Sequence, residues 1–329
     1  MNRYYYGKSG KGDFTKEDLP QTRWQLFWEM LRVRFTALFK LNLLYMVAWL
    51  PAIIVIGRAV LMIFSGLTNL MDMQAQAEAG ELTAEALTQS TQLLVEAFRG
   101  VLSQTLLLLV PCIAITGPFT AGAAYVTRNW ARDEHAFIWS DFWDAVKGNW
   151  KQALPTSAIT GFVPLLMYVC YTFYGQMAAD NALFLLPQVL CIMLGMVWLC
   201  SLMYTYPQMV TYDMRYGTLI RNSLIMTVGR LPMTVGLKLL SLLPSVICLL
   251  ISLFTPYAMY ALMVLALYYI LLGYALSRFV GASYANAVFD RYLNTRIEGA
   301  QVGRGLYVED DEDEEEEAAE GEDTPSTRA

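Results

Sequence analysis

The chain has 329 residues, 56% of them hydrophobic, and a mean hydropathy of +0.38, which excludes a water-soluble domain of ordinary make-up. The formal charge of −6 is unevenly placed: residues 309–329 hold twelve acids and one base, leaving 22 Lys and Arg against 17 Asp and Glu in the body, a balance of +5. Those basic residues are scattered between apolar runs, where anionic lipid accounts for them without nucleic acid.

In chain order, residues 1–23 are expected to be a polar cytosolic N-terminal segment, tyrosine-rich and without the apolar stretch of a cleavable signal peptide. Its "GKSGKG" at 7–12 looks like a phosphate loop but lacks the upstream glycine, the preceding strand and the following helix start. A membrane domain is expected over residues 24–298. It opens with "RWQLFWEMLRVRFTALFK", where Trp24, Phe27, Leu31, Phe35 and Leu38 fall on one face of an amphipathic helix.

A bilayer core of about 30 Å needs about 20 apolar residues in helical form. Six segments meet that length: 39–64, 101–125, 155–176, 183–206, 232–254 and 257–279. No Asp, Glu, Lys, Arg or His occurs from Val101 to Thr127, from Ala153 to Ala179 or from Leu239 to Ser277. The last of these runs holds two spans, joined by a turn at Thr255-Pro256. Between the first two spans, residues 65–100 carry Asp72, Glu78, Glu81, Glu85 and Glu96 with apolar residues near helical spacing. This stretch is expected to extend both spans outside the membrane, turning at Gly80. The fold class expected is all-α: a polytopic membrane bundle of about six transmembrane helices, with amphipathic helices lying at the cytosolic interface.

The second span ends in "ITGPFTAGAAY" (115–125). Gly117, Ala121 and Ala124 recur at i, i+4 and i+7, the small-residue stripe that lets helices approach closely. Pro118 withholds a donor from the carbonyl of Ala114, and the Thr120 hydroxyl is placed to bond back toward Thr116. A packing seam with a kink is the reading preferred over a broken helix that cradles a substrate, since no charged counterpart lies at mid-depth.

A plan then recurs, in which a cytosolic amphipathic helix leads into an outward span and a second span returns. In its second copy Trp139, Phe142, Trp143, Val146 and Trp150 share a face, and Trp139, Phe142, Trp143 and Trp150 are expected to be interfacial anchors. The third copy, "YGTLIRNSLIMTVGR", is less aromatic. The return spans end in "TYDMRY" and "VFDRY", where each Asp is expected to pair locally with its neighbouring Arg. Residues 299–329 are expected to form a disordered acidic cytosolic tail, self-repelling through "EDDEDEEEE".

Lys and Arg cluster before the first span, between the second and third, between the fourth and fifth, and after the sixth, whereas Arg58 and Arg99 alone fall on the other side. Both termini are therefore expected in the cytoplasm. No catalytic, cofactor-binding or metal-ligating residue is expected. His135 is the sole histidine, and the five cysteines all sit in apolar runs without a Cys-x-x-Cys pair.

"GPFTAGAAYVTRNWARDE" followed by "FIWSDFWDAVKGNWKQALP", with "LFKLNLLYMVAWLP" upstream, resembles the YesL family of bacterial membrane proteins over about residues 24–295. That family has no known function, and its members are often associated with genes for carbohydrate uptake and breakdown. The resemblance implies a multi-pass protein of the bacterial plasma membrane with a link to sugar metabolism, and it supplies no catalytic residue.

The function expected is a non-enzymatic accessory or scaffold protein in the lipid bilayer, with a membrane transport complex as its partner. The alternative is a sugar-type facilitator without ion coupling, in which Tyr168, Tyr171, Tyr174, Tyr204 and Tyr206 would line a polar path. An intramembrane enzyme built on Asn42 or Gln104 ranks third, because either side chain is satisfied by one interhelical hydrogen bond. Oligomeric state is not readable from the sequence.

Overall fold

A computed structural model describes residues 19–307, and among them the regular structure is helical throughout. Helix α1, Arg23–Glu78, starts at a capping box in which the Thr22 hydroxyl and the Gln25 side chain accept from each other's backbone N–H. Its 56 residues would extend about 84 Å at 1.5 Å per residue, far beyond a bilayer core. The amphipathic lead-in, the apolar span and the extension beyond it are one continuous helix.

The chain reverses at Gly80, whose φ of +80° suits glycine, and α2 runs Ala84–Trp130 from the N-cap Thr83. Helix α3 covers Ser140–Asp180 and α4 covers Leu185–Met209. The short α5, Tyr216–Gly229, is followed after Arg230 by α6, Leu231–Phe254. The last crossing is compound: α7, Ala258–Tyr268, one π-helical turn over Tyr269–Gly273, then α8, Tyr274–Tyr292.

Six of these helical runs are long and apolar enough to cross a membrane. The chain is a polytopic helical membrane protein. Their outward surfaces could not face water: Phe254 is 80% exposed and Leu186 70% exposed, amid dozens of exposed large apolar side chains.

Burial concentrates at one end, which also receives both ends of the described chain and is called the base here. Leu26, Met30, Leu38, Leu41 and Tyr45 of α1 pack there with Val126 and Trp130 of α2, Phe142 of α3 and Phe279 of α8. The buried stripe of α1 thus differs from the one expected. Trp24 and Phe35 point outward, and only Leu38 of the five residues named for that face is fully buried. Away from the base fewer side chains are buried and apolar flanks face outward, while α1 and α2 stay in contact at Gly66 against Phe98 and α3 and α4 at Gly195 against Met167.

The π-helical turn explains Asn42. Its Nδ2 donates to the carbonyls of Tyr269 (2.8 Å) and Ile270 (2.6 Å), and its Oδ1 accepts from the N–H of Ala275 at 2.8 Å. These are groups that a π turn takes out of the regular helical ladder. Gln104 accepts from Arg58 at 3.0 Å. Both intramembrane amides are accounted for by bonds between helices.

Candidate functional site

The Gly-Pro stretch of α2 lies against α3. The carbonyl of Ala114, deprived of its usual donor by Pro118, accepts from the Ser157 hydroxyl of α3 at 2.6 Å. Gly117 makes that approach sterically feasible. A Cβ on Gly117 would stand 2.8 Å from Ser157 Cβ, and closer still to the Ser157 hydroxyl and the Ala153 carbonyl. The two helices also meet backbone to backbone at Gly122, 2.8 Å from the Phe142 carbonyl by the same measure, and at Gly161 against Val110.

Thr120 donates to the carbonyl of Thr116 at 2.8 Å and lies 2.7 Å from the Tyr45 hydroxyl. Its one hydrogen is committed to Thr116, so Tyr45 is the donor across to α1. Ala121 and Ala124 are buried with Ala153, Leu202 and Tyr206. The five residues named for this motif thus face three neighbours: Gly117 and the carbonyl freed by Pro118 meet α3, Thr120 meets α1, and Ala121 and Ala124 pack with side chains of α3 and α4.

The four aromatics of α3 separate. Trp139 is 68% exposed and Trp150 is 49% exposed, as side chains at a lipid headgroup boundary would be. Phe142 is fully buried, a correction to its expected place at the interface, and Trp143 packs edge-on against Phe119 of α2 at 5.7 Å. The cause is Gly122, which leaves room for Phe142 to enter the core.

Ionic contacts at the base are long-range. Asp290 pairs with Arg23 and not with its neighbour Arg291, whose guanidinium lies over the Tyr292 ring at 5.7 Å. Asp290 also accepts from Asn294 at 2.5 Å and from the N–H of Gly303 at 3.2 Å. Asp213 of "TYDMRY" is exposed. Glu134 gathers Arg304 at 3.1 Å, Arg128 at 3.3 Å and Arg132 at 3.5 Å. Burial pushes the Tyr212 phenol up to about 12, which keeps it a donor to Asn294 at 2.6 Å.

Residues 299–307, expected at the start of the tail, fold across this surface. Leu306 packs on the core and the N–H of Tyr307 donates to the carbonyl of Pro20 at 2.9 Å. The acidic run 309–317 and the "GKSGKG" stretch lie outside the described residues.

Above the base, α1, α2, α4, α6 and α8 enclose a cavity of about 190 Å³. Lys238 of α6 and Arg278 of α8 line it, with Ser241, Ser277 and Thr127 beside them. Trp49 and Tyr274, stacked at 5.1 Å with planes 19° apart, form one wall. Arg278 lies over the Tyr206 ring at 5.4 Å. Among the described residues neither Lys238 nor Arg278 forms an ion pair or hydrogen bond. Both belong to the Lys and Arg clusters that set the expected orientation, and nothing in the sequence shows that they line one space. The one available cue was an absence, since no acid stands near either in the sequence.

The tyrosines named for a transport path do not share one. Tyr168, Tyr171 and Tyr174 lie toward the far end of α3, and Tyr171 is 57% exposed, whereas Tyr204 and Tyr206 are buried near the base.

No curated protein and no solved structure matches this chain. Residues 38–171, which hold the span of α1, all of α2 and most of α3, are similar to the family described as "Protein of unknown function, DUF624".

Proposed function

We propose that this chain is a non-enzymatic accessory protein of the bacterial plasma membrane, YesL-like, serving a carbohydrate-uptake system with both termini cytoplasmic. The observation that carries the reading is the base. Its parts come from α1, the α2–α3 turn, α8 and residues 299–307, and long-range pairs such as Arg23–Asp290 and Arg304–Glu134 tie them together. Around it stand exposed Trp28, Phe137 and Trp139, large apolar rings suited to a second membrane protein at the headgroup level.

Affinity purification from native membranes, with cross-linking before extraction, tests this. A carbohydrate permease should co-purify with the wild type and be lost from a variant with Trp28 and Trp139 replaced by alanine. Recovery of the protein alone, or equal recovery of the permease with that variant, overturns the proposal.

The facilitator reading keeps one supporting observation, the stacked Trp49–Tyr274 wall beside hydroxyls, since aromatic faces suit sugar rings. Sugar flux into liposomes holding the purified protein alone would favour it over the accessory role.

A further inference from the structure

A second hollow adjoins the dicationic cavity. It is a groove of about 580 Å³ between the start of α1, α6 and α8, with Trp24, Phe27, Leu31, Leu240 and Leu276 among its lining. Leu237, Ser241, Ser277 and Val280 line both spaces, so cavity and groove meet at the α6–α8 seam. Lys238 and Arg278 make the first space positive; the second is lined mainly by apolar side chains, with Arg23 and Trp28 at the α1 start.

We infer that this pair of spaces is a binding site for an anionic glycerophospholipid, its phosphate held between Lys238 and Arg278 and an acyl chain lying in the groove. Charge complementarity is the first support. Two cations border one space of about 190 Å³, and among the described residues no carboxylate is paired to either. An anion between them would offset like charge in a space with little water to screen it. The Ser277 hydroxyl, which has no hydrogen-bond partner among the described residues, supplies a further donor.

Reach is the second support. Lys238 lies seven residues into α6 from Leu231, about 10 Å along the axis, and its long flexible stem lets the ammonium extend from there toward the base-side headgroups. The groove is the third. A soluble phosphate or sugar phosphate has no use for an apolar trough open to lipid, whereas an acyl chain fills it. The inference does not depend on the accessory role, because lipid binding is read out whether or not a permease co-purifies.

The test uses the purified full chain in neutral detergent, titrated with dioleoyl phosphatidylglycerol, dioleoyl phosphatidylcholine, glycerol phosphate and inorganic phosphate. Retained lipid is counted by native mass spectrometry, and the melting temperature is followed in parallel. Phosphatidylglycerol should bind and raise the melting temperature, while the other three should not. Lys238→Gln with Arg278→Gln should weaken that binding about tenfold or more.

Two further variants keep the result interpretable if the double substitution folds poorly. Arg278→Lys keeps the charge and should retain binding; Val280→Phe keeps both charges, obstructs the junction and should lose it. As a control for general surface attraction, Lys147→Gln with Lys151→Gln should leave binding unchanged. Equal binding of phosphatidylcholine overturns the inference. So does an equal response to inorganic phosphate, which would mark a soluble-anion site, or binding that survives loss of both cations.

Discussion

Replacing Gly117 by alanine adds one methyl group at the tightest point between α2 and α3. In an open helix that change stabilises by up to about 1 kcal/mol. Here the new Cβ meets Ser157 Cβ at 2.8 Å and presses on the Ala153 carbonyl, which belongs to backbone and has no rotamer to yield. Moving α3 aside costs about 1–3 kcal/mol by the usual range for overpacking. It also lengthens the Ser157 bond to Ala114, worth about 0.5–1.5 kcal/mol. The net loss is about 2 kcal/mol, or a melting temperature lower by roughly 3 °C for a chain of this size.

The assay is thermal unfolding in detergent, followed by the size-exclusion peak that survives heating. Gly148→Ala and Gly57→Ala are the matched comparisons, because nothing lies within 4 Å of a Cβ at either. They should melt at or slightly above the wild type. Ser157→Ala should cost about 1 kcal/mol by orphaning the Ala114 carbonyl, and its effect should not add fully to that of Gly117→Ala. If Gly117→Ala melts together with Gly148→Ala, the seam is not tight and the account of the Gly-Pro stretch is wrong.

Three other outcomes are expected. Phe142→Ala should destabilise by about 3–5 kcal/mol as a large core truncation, whereas Trp139→Ala should leave the melting temperature nearly unchanged in detergent; equal effects would return Phe142 to the interface. Asn42→Leu strands two carbonyls and one N–H around the π turn, so it should cost about 2–4 kcal/mol in the same melt, and a neutral result would mean that the turn rearranges. A cysteine at Glu81, with the five native cysteines replaced by alanine, should react in intact cells with a maleimide that cannot cross membranes; protection until lysis would invert the proposed orientation.

The elements that sequence made legible are those governed by one-dimensional quantities. Charge-free runs long enough to span hydrocarbon mark the crossings, because the cost of a buried charge does not depend on which helix lies next door. Half of the α2–α3 contact was readable for a similar reason: Gly117, Ala121 and Ala124 repeat at helical spacing, and Pro118 declares a carbonyl without a donor. Its partner was not readable. Ser157 is one hydroxyl among several in an apolar run, and only the antiparallel register of α3 places it opposite Ala114.

The residues that escaped are those whose role is set by rotation about a helix axis or by distance along the chain. Arg23 and Asp290 are 267 residues apart, and each has a nearer opposite charge that a local reading prefers. Arg278 is the sharper case. The π turn at Tyr269–Gly273 inserts one residue into the last crossing, which turns every later side chain by about 100° relative to an uninterrupted helix. Asn42 holds that turn in place from α1. The face on which Arg278 meets Lys238 is therefore decided by an asparagine more than two hundred residues upstream. If so, Asn42→Leu should weaken phosphatidylglycerol binding as well as stability, while Phe142→Ala, which removes none of the Asn42 bonds to the π turn, should lower stability and leave the lipid preference of the surviving folded protein intact.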